Sequence, residues 1–203
     1  MPEESTENHS AARDHRAAIA MSKKNIRRNV TQAIKTMSTQ ERAAQAEQLM
    51  NALRTLPRWH EAADILAYIP MQYEPPLLPL LMEAEEAGKR VFVPQIRGKN
   101  IVFSRRTAGA AGAAAEGATG AAEYPESIWE PDRAPKSLLI APGLAFTLRG
   151  GRLGRGGGFY DRFLAVNPEL HSLALCFTAQ LYSRIPVCSH DIPVSEVLLP
   201  EMN

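Results

Sequence analysis

Leu138-Leu-Ile-Ala141, then Pro142-Gly143-Leu144-Ala145-Phe146, then Gly151-Arg-Leu-Gly-Arg-Gly-Gly-Gly-Phe-Tyr-Asp-Arg-Phe-Leu164 is a short apolar run, a turn and a glycine-rich loop. The run has the length and composition of a buried strand. A helix is predicted to begin near Tyr160, directly after the glycines. Gly154, Gly156, Gly157 and Gly158 let the backbone take positive φ and approach a ligand. Backbone N–H groups in such loops cradle anions, guanidinium forks such as Arg152 and Arg155 grip phosphate, and a carboxylate such as Asp161 suits magnesium beside it. The stretch reads as a polyphosphate loop. A glycine-rich surface turn with solvated arginines has the same composition, and the residues alone leave both readings open. Two common phosphate loops are excluded. The chain has no Gly-Lys followed by Ser or Thr, and Phe159 stands where a dinucleotide fingerprint starting at Gly154 needs glycine or alanine.

On either side of this stretch, strand-like and helix-like blocks alternate. Lys23–Lys35 and Gln40–Leu53 have helical spacing, with Ile26, Val30 and Ile34 on one face and Ala43, Leu49 and Leu53 on another. Leu77–Ala87 is amphipathic and stops at Gly88. Ile65–Ile69, Val91–Val93, Ile101–Phe103, Leu173–Phe177 and Val197–Leu199 are short strand-like runs. The pattern predicts a single α/β domain, a mostly parallel sheet with helices on both faces in three Rossmann-like layers. Ligands in such folds sit beyond the carboxyl ends of the strands, where both the glycine loop and the Met71–Glu74 segment fall.

A chain of 203 residues with 45% apolar content fits one domain with a real core. The net charge of +1 and the lack of a basic stripe interleaved with aromatics argue against nucleic-acid binding. No apolar run approaches a membrane span or a signal-peptide core. Cys176 and Cys188 lack metal-type spacing and read as reduced thiols of a cytoplasmic protein. Residues 1–20 read as a disordered leader, with the domain at 21–203. The Ala/Gly-rich stretch 108–122 reads as a loop insertion.

The segment Pro142–Phe146 with Arg152–Arg162 resembles the signature of the 5-formyltetrahydrofolate cyclo-ligase (methenyltetrahydrofolate synthetase) family. Lys23-x-x-Ile26-Arg27, Ala67-Tyr68-Ile69-Pro70-Met71 with Glu74, Gly88–Pro94, Gln180, Ile185-Pro186 and His190-Asp191 fall in the family's order. The resemblance implies an enzyme converting 5-formyltetrahydrofolate and ATP, with magnesium, to 5,10-methenyltetrahydrofolate, ADP and phosphate. It implies that Lys23, Arg27, Arg152, Gly154, Arg155, Gly156, Gly157, Gly158, Phe159 and Tyr160 hold ATP, with Lys23 and Arg155 catalytic. Glu74, Met71 and Tyr68 would meet the folate, and Asp161 would bind magnesium. Lys23 and Arg27 are four apart and share a helix face, so both reach one polyphosphate. Small molecules are the only partners implied, and a monomer is expected.

Five positions depart from the family pattern. Thr147 and Ser195 stand where acids are usual, Leu77 where threonine is, and Cys188 and Ser189 replace a typically acidic pair. Most of these changes are expected to remove negative charge near the metal and substrate end. The alternative reading is a nucleotide- or folate-binding homologue with little turnover.

Overall fold

The structure, a computed structural model, describes residues 4–106 and 127–201, with side chains from His15 onward. The insertion expected at 108–122 therefore lies outside the described residues. A six-stranded sheet forms the centre. Its strands are β1 (Asp64–Ala67), β2 (Arg90–Arg97), β3 (Asn100–Arg105), β4 (Ser137–Ile140), β7 (His171–Leu175) and β8 (Glu196–Leu198), in the order β3-β2-β1-β4-β7-β8. All neighbours run parallel except β3, which folds back antiparallel on β2 through a turn at Gly98, φ +60°.

Alternation along the inner strands builds the two halves of the core. Ile65 and Ala67, Leu138 and Ile140, Leu173 and Leu175 point to one face, with Leu49, Leu53, Leu80 and Leu81. Leu66, Leu139, Ala174 and Cys176 point to the other, with Phe92, Phe103, Trp129 and Leu164. A period of two with both faces covered explains why these strands read as solid apolar runs. The first face is covered by α2 (Thr39–Thr55) and α4 (Leu78–Glu86). Ser38 caps α2 by accepting the Glu41 amide at 3.0 Å, and Gly88 at φ +81° follows the end of α4. The buried stripe of α2 is Ala46, Leu49 and Leu53; Ala43, expected among them, is exposed because it lies a turn beyond the covered face. A short α3 (Pro57–Glu61) follows and buries Trp59. On the second face lies α5 (Phe159–Ala165), starting where the sequence predicts.

Two elements go beyond the sequence expectation. A small antiparallel ribbon pairs β5 (Ala145–Phe146) with β6 (Arg152–Leu153). Over it lies α1 (Glu4–Thr36), seated by Val30 and Ile34 against Ala145, Leu153 and Ile185. Where a disordered leader is expected over residues 1–20, this helix runs unbroken from Glu4. Its alanines, glutamates and arginines are strong helix formers, so little opposes the extension.

The strand order reverses at β1 and β4. Chain leaving β1 turns to one side and chain leaving β4 to the other, which opens a crevice at their carboxyl ends. The glycine loop, the segment after Ala67 and the N-terminal helix converge there.

Candidate active site

The crevice is a cavity of about 550 Å³, within the usual range for small-molecule sites, roughly 300–1,000 Å³. Every residue expected at the site lines it, drawn from α1, the turn after β1, β6, the glycine loop and the start of α5.

Lys23 enters from α1 and is 8% exposed. Its Nζ donates to the Asp191 carboxylate and lies 3.6 Å from Cys188 Sγ. One turn on, Arg27 Nε donates to the Gly154 carbonyl at 2.8 Å, which anchors the glycine loop to the helix. The loop needs its glycines. Gly156 sits at φ +113° and Gly158 at φ +64°, and a Cβ on Gly157 would stand 2.6 Å from the Phe159 ring. Arg162 braces the loop from beneath by donating to the Gly157 and Lys99 carbonyls, with its guanidinium 5.2 Å from the centre of the Phe159 ring.

Arg152 and Arg155 look equivalent in sequence and are not. The Arg152 side chain is 3% exposed; Nη2 donates to Asp161 Oδ1 at 2.8 Å and Nη1 to the Pro142 carbonyl at 3.3 Å. Its guanidinium lies 5.6 Å from the Tyr160 ring centre, so this arginine braces the site from inside. Arg155 is exposed and reaches across the crevice, where Nη2 donates to Glu74 Oε1 at 3.0 Å. Glu74 Oε2 accepts the Met71 amide at 2.9 Å, closing the turn after β1.

The two tyrosines make the floor apolar but leave it a polar handle. Tyr68 is buried, and its hydroxyl donates to the Pro75 carbonyl at 3.3 Å. Burial first, then the Glu74 charge, pushes its phenol well above the ordinary value. Burial also raises the Tyr160 phenol against the opposing pull of Arg152. Both rings therefore keep their protons at neutral pH and act as donors rather than anions.

Asp161 Oδ1 accepts from Arg152 and from the Ile192 amide at 3.2 Å. Among the described residues, no group of three or more His, Cys, Asp or Glu side chains is placed to hold an ion. A protein cage for magnesium is thus excluded among them. A lone carboxylate beside a polyphosphate still fits that ion, which commonly takes one carboxylate, phosphate oxygens and waters.

Sequence reasoning missed Asp191 as the partner of Lys23, and the cleft-lining Arg16, Ile19 and Ala20 of α1. The spacing 16, 19–20, 23, 27 is one helix face and was the available signal. The expected loss of acid near the metal end needs correcting at Ser195. Leu77, which stands for a threonine rather than an acid, is fully buried core. Ser195 exchanges hydrogen bonds with Ser172 at the amino end of β7, opposite the crevice. Thr147 accepts the Gly151 amide at 3.0 Å and lines a second cavity of about 240 Å³ that shares Arg152 and Asp191 with the crevice.

The profile of the 5-formyltetrahydrofolate cyclo-ligase family matches residues 19–200. The chain is 27% identical over 202 residues to the Mus musculus 5-formyltetrahydrofolate cyclo-ligase, covering 89% of this chain and 94% of that one. It is 30% identical over 189 residues to the Mycolicibacterium smegmatis 5-formyltetrahydrofolate cyclo-ligase, with 89% and 94% covered. The NMR structure of Aquifex aeolicus 5,10-methenyltetrahydrofolate synthetase superposes with a TM-score of 0.71 at 29% identity, over 86% of this chain and 88% of that one.

Proposed function

The chain belongs to the 5-formyltetrahydrofolate cyclo-ligase family and is an enzyme of that class, and from this premise we propose that it spends ATP, with magnesium, to close the folate ring. An N-formyl amide is a poor electrophile, and hydroxide is a poor leaving group. In the proposed reaction the formyl oxygen attacks the γ-phosphorus of ATP, which breaks the bond to ADP and gives an imidate phosphate. The bridging nitrogen of the folate then attacks the formyl carbon. As the carbon–nitrogen bond forms, that nitrogen gives up its proton, the carbon–oxygen bond breaks and inorganic phosphate leaves with the oxygen and takes the proton, giving 5,10-methenyltetrahydrofolate.

The observation that carries this reading is convergence. Lys23 and Arg27 from the first helix, the glycine loop with Arg155, and Glu74 with Tyr68 and Met71 line one crevice at the strand-order reversal. Lys23, Arg27 and Arg155 supply the positive charge that in-line phosphoryl transfer needs, and the loop amides orient the phosphates. Glu74 is a suitable acceptor for the N–H groups of the pterin, with Met71 and Tyr68 beside it. Asp161 would hold magnesium together with phosphate oxygens, and that ion would neutralise charge on the transferring phosphoryl group. The proposal includes a monomer in the cytoplasm, where Cys176 and Cys188, both free thiols, would stay reduced.

The test is the absorbance of methenyltetrahydrofolate formed from 5-formyltetrahydrofolate. Product is expected only when ATP and a divalent cation are both present. ATP binding without product would favour a binding homologue. Product formed without ATP would overturn the phosphoryl-transfer step.

A further inference from the structure

Glu74 is the carboxylate proposed to meet the pterin, yet both of its oxygens are occupied, Oε1 by Arg155 Nη2 at 3.0 Å and Oε2 by the Met71 amide at 2.9 Å. Arg155 is in turn proposed to hold phosphate. One guanidinium therefore has a partner in each half of the crevice. We propose that Arg155 gates the folate subsite: it keeps Glu74 closed until a polyphosphate draws it away, so that nucleotide binding prepares Glu74 for the folate. This rests on the ATP and folate roles given above and adds an order to them.

Burial shows which partner moves. The Glu74 side chain is 9% exposed and tied to its own turn, whereas Arg155 is 56% exposed. Arg155 is flanked by Gly154 and by Gly156, whose φ of +113° places it in space with nothing nearer than Arg27 at 3.8 Å from a notional Cβ. The Gly154 carbonyl is pinned by Arg27, so the loop has a fixed root and a free tip. The other pair joining the glycine-loop region to an acid cannot act this way, because Arg152 is buried against Asp161.

The exchange has a direction. A polyphosphate offers the guanidinium fork more charge and more acceptor oxygens than one carboxylate. Once Arg155 leaves, a nearly buried carboxylate lacks its cation, a state relieved by ligand N–H donors. Nucleotide therefore raises the affinity for folate, and by linkage folate raises the affinity for nucleotide by the same factor.

The experiment is calorimetric titration of 5-formyltetrahydrofolate into the full chain, with and without magnesium and a non-hydrolysable ATP analogue at saturation. The wild type should bind the folate about five- to tenfold more tightly when the analogue is present, the lower end of usual coupling because Arg155 is half exposed. Arg155→Ala should bind it as tightly without the analogue as the loaded wild type does, and the analogue, re-saturated for the variant, should no longer matter. Glu74→Gln releases Arg155 without touching the loop, so the analogue alone should bind it several-fold more tightly than the wild type. A purely structural bridge would instead weaken nucleotide binding when cut. Unchanged or weaker analogue binding by Glu74→Gln, or a wild-type factor of one with both ligands bound, overturns the gate and leaves the ATP reading intact. A wild type that does not bind the analogue overturns both.

Discussion

Lys23 on the first helix donates to the carboxylate of Asp191, 168 residues further along the chain. The Lys23 side chain is 11% exposed and that of Asp191 20%, so this is an interior pair at the rim of the crevice. Asp191 Oδ2 also accepts the Cys188 amide at 2.6 Å, so one carboxylate both shapes its own turn and supplies the counterion of a buried ammonium. The pair holds the N-terminal helix against the C-terminal loops.

Asp191→Asn should therefore lower Tm at neutral pH. Losing a hydrogen bond to a charged group costs about 1.5–3 kcal/mol, roughly 3–12 °C for a chain of this size. Burial pushes the Asp191 carboxyl up, but the Cys188 amide, the bond to Lys23 and the charges of Lys23 and His190 bring it below its ordinary value overall. A depressed carboxyl contributes stability that is complete above its unfolded value, about 3.9, and is lost as pH falls through the lower folded value. The Tm gap between wild type and variant should stay constant from neutral pH down to about 5 and close in stronger acid. A gap that persists in acid would mean that the charge of Asp191 is irrelevant.

Arg152 and Arg155 should separate in two assays. Arg152→Met leaves Asp161, itself 15% exposed, without its cation, and breaking such a buried pair costs about 3–5 kcal/mol. Arg155→Ala removes a half-exposed cation and leaves Glu74 still accepting the Met71 amide, so it should cost less and melt closer to the wild type. Its ATP requirement should nevertheless rise by about ten- to a hundredfold, the loss expected for a charged hydrogen bond to phosphate. Equal melting curves for the two variants would show that burial of Arg152 does not matter to the fold.

These two arginines show how far the sequence could be read. The inner strands were legible because both faces are covered, leaving runs such as Leu138–Ile140 without a polar residue. The ribbon of Ala145–Phe146 and Arg152–Leu153 was not, since two residues per strand carry no period. Its pairing turns Arg152 inward while Arg155 stays on the loop, a distinction that composition cannot make. Asp191 was hidden because its partner is distant in the chain. The start of the first helix was hidden because Arg16 and Ala20 line an open crevice, so that face lacks the apolar stripe that marks a packed helix.

Removing residues 1–20 should expose that difference. The deletion takes Arg16, Ile19 and Ala20 from the crevice wall and spares Val30 and Ile34, which seat the helix. The Tm should hardly change, while the substrate concentrations needed for half-maximal rate rise. Unaltered kinetics would show that the crevice does not use this wall.

Gly88 and Gly150 share a φ of +81° and differ in their surroundings. A Cβ on Gly88 meets nothing within 4 Å, so Gly88→Ala should cost only the left-handed strain, about 1–2 kcal/mol. On Gly150 it would stand 2.1 Å from the Val194 carbonyl oxygen, whose own amide donates to Gly150 at 2.9 Å. Gly150→Ala must push that backbone away and should melt well below Gly88→Ala.

The last prediction concerns where a carboxylate helps magnesium. Ser195 meets Ser172 through Oγ to amide contacts of 3.1–3.2 Å at the amino end of β7, and Ser172 is 2% exposed. The crevice lies beyond the carboxyl end of the same strand, so the Ser195 side chain faces the end away from it. Ser195→Asp should therefore leave the magnesium concentration for half-maximal rate unchanged, and should lower Tm because it forces a charge against a buried serine. Thr147→Asp keeps an acceptor for the Gly151 amide and lines a cavity that shares Arg152 with the crevice, so of the two added acids it is the one expected to lower the magnesium requirement. Asp161→Asn should raise the magnesium requirement strongly, because a neutral amide is a weaker ligand for a hard cation. A lower requirement in Ser195→Asp would place the ion away from the crevice, and a normal requirement in Asp161→Asn would remove that carboxylate from its coordination.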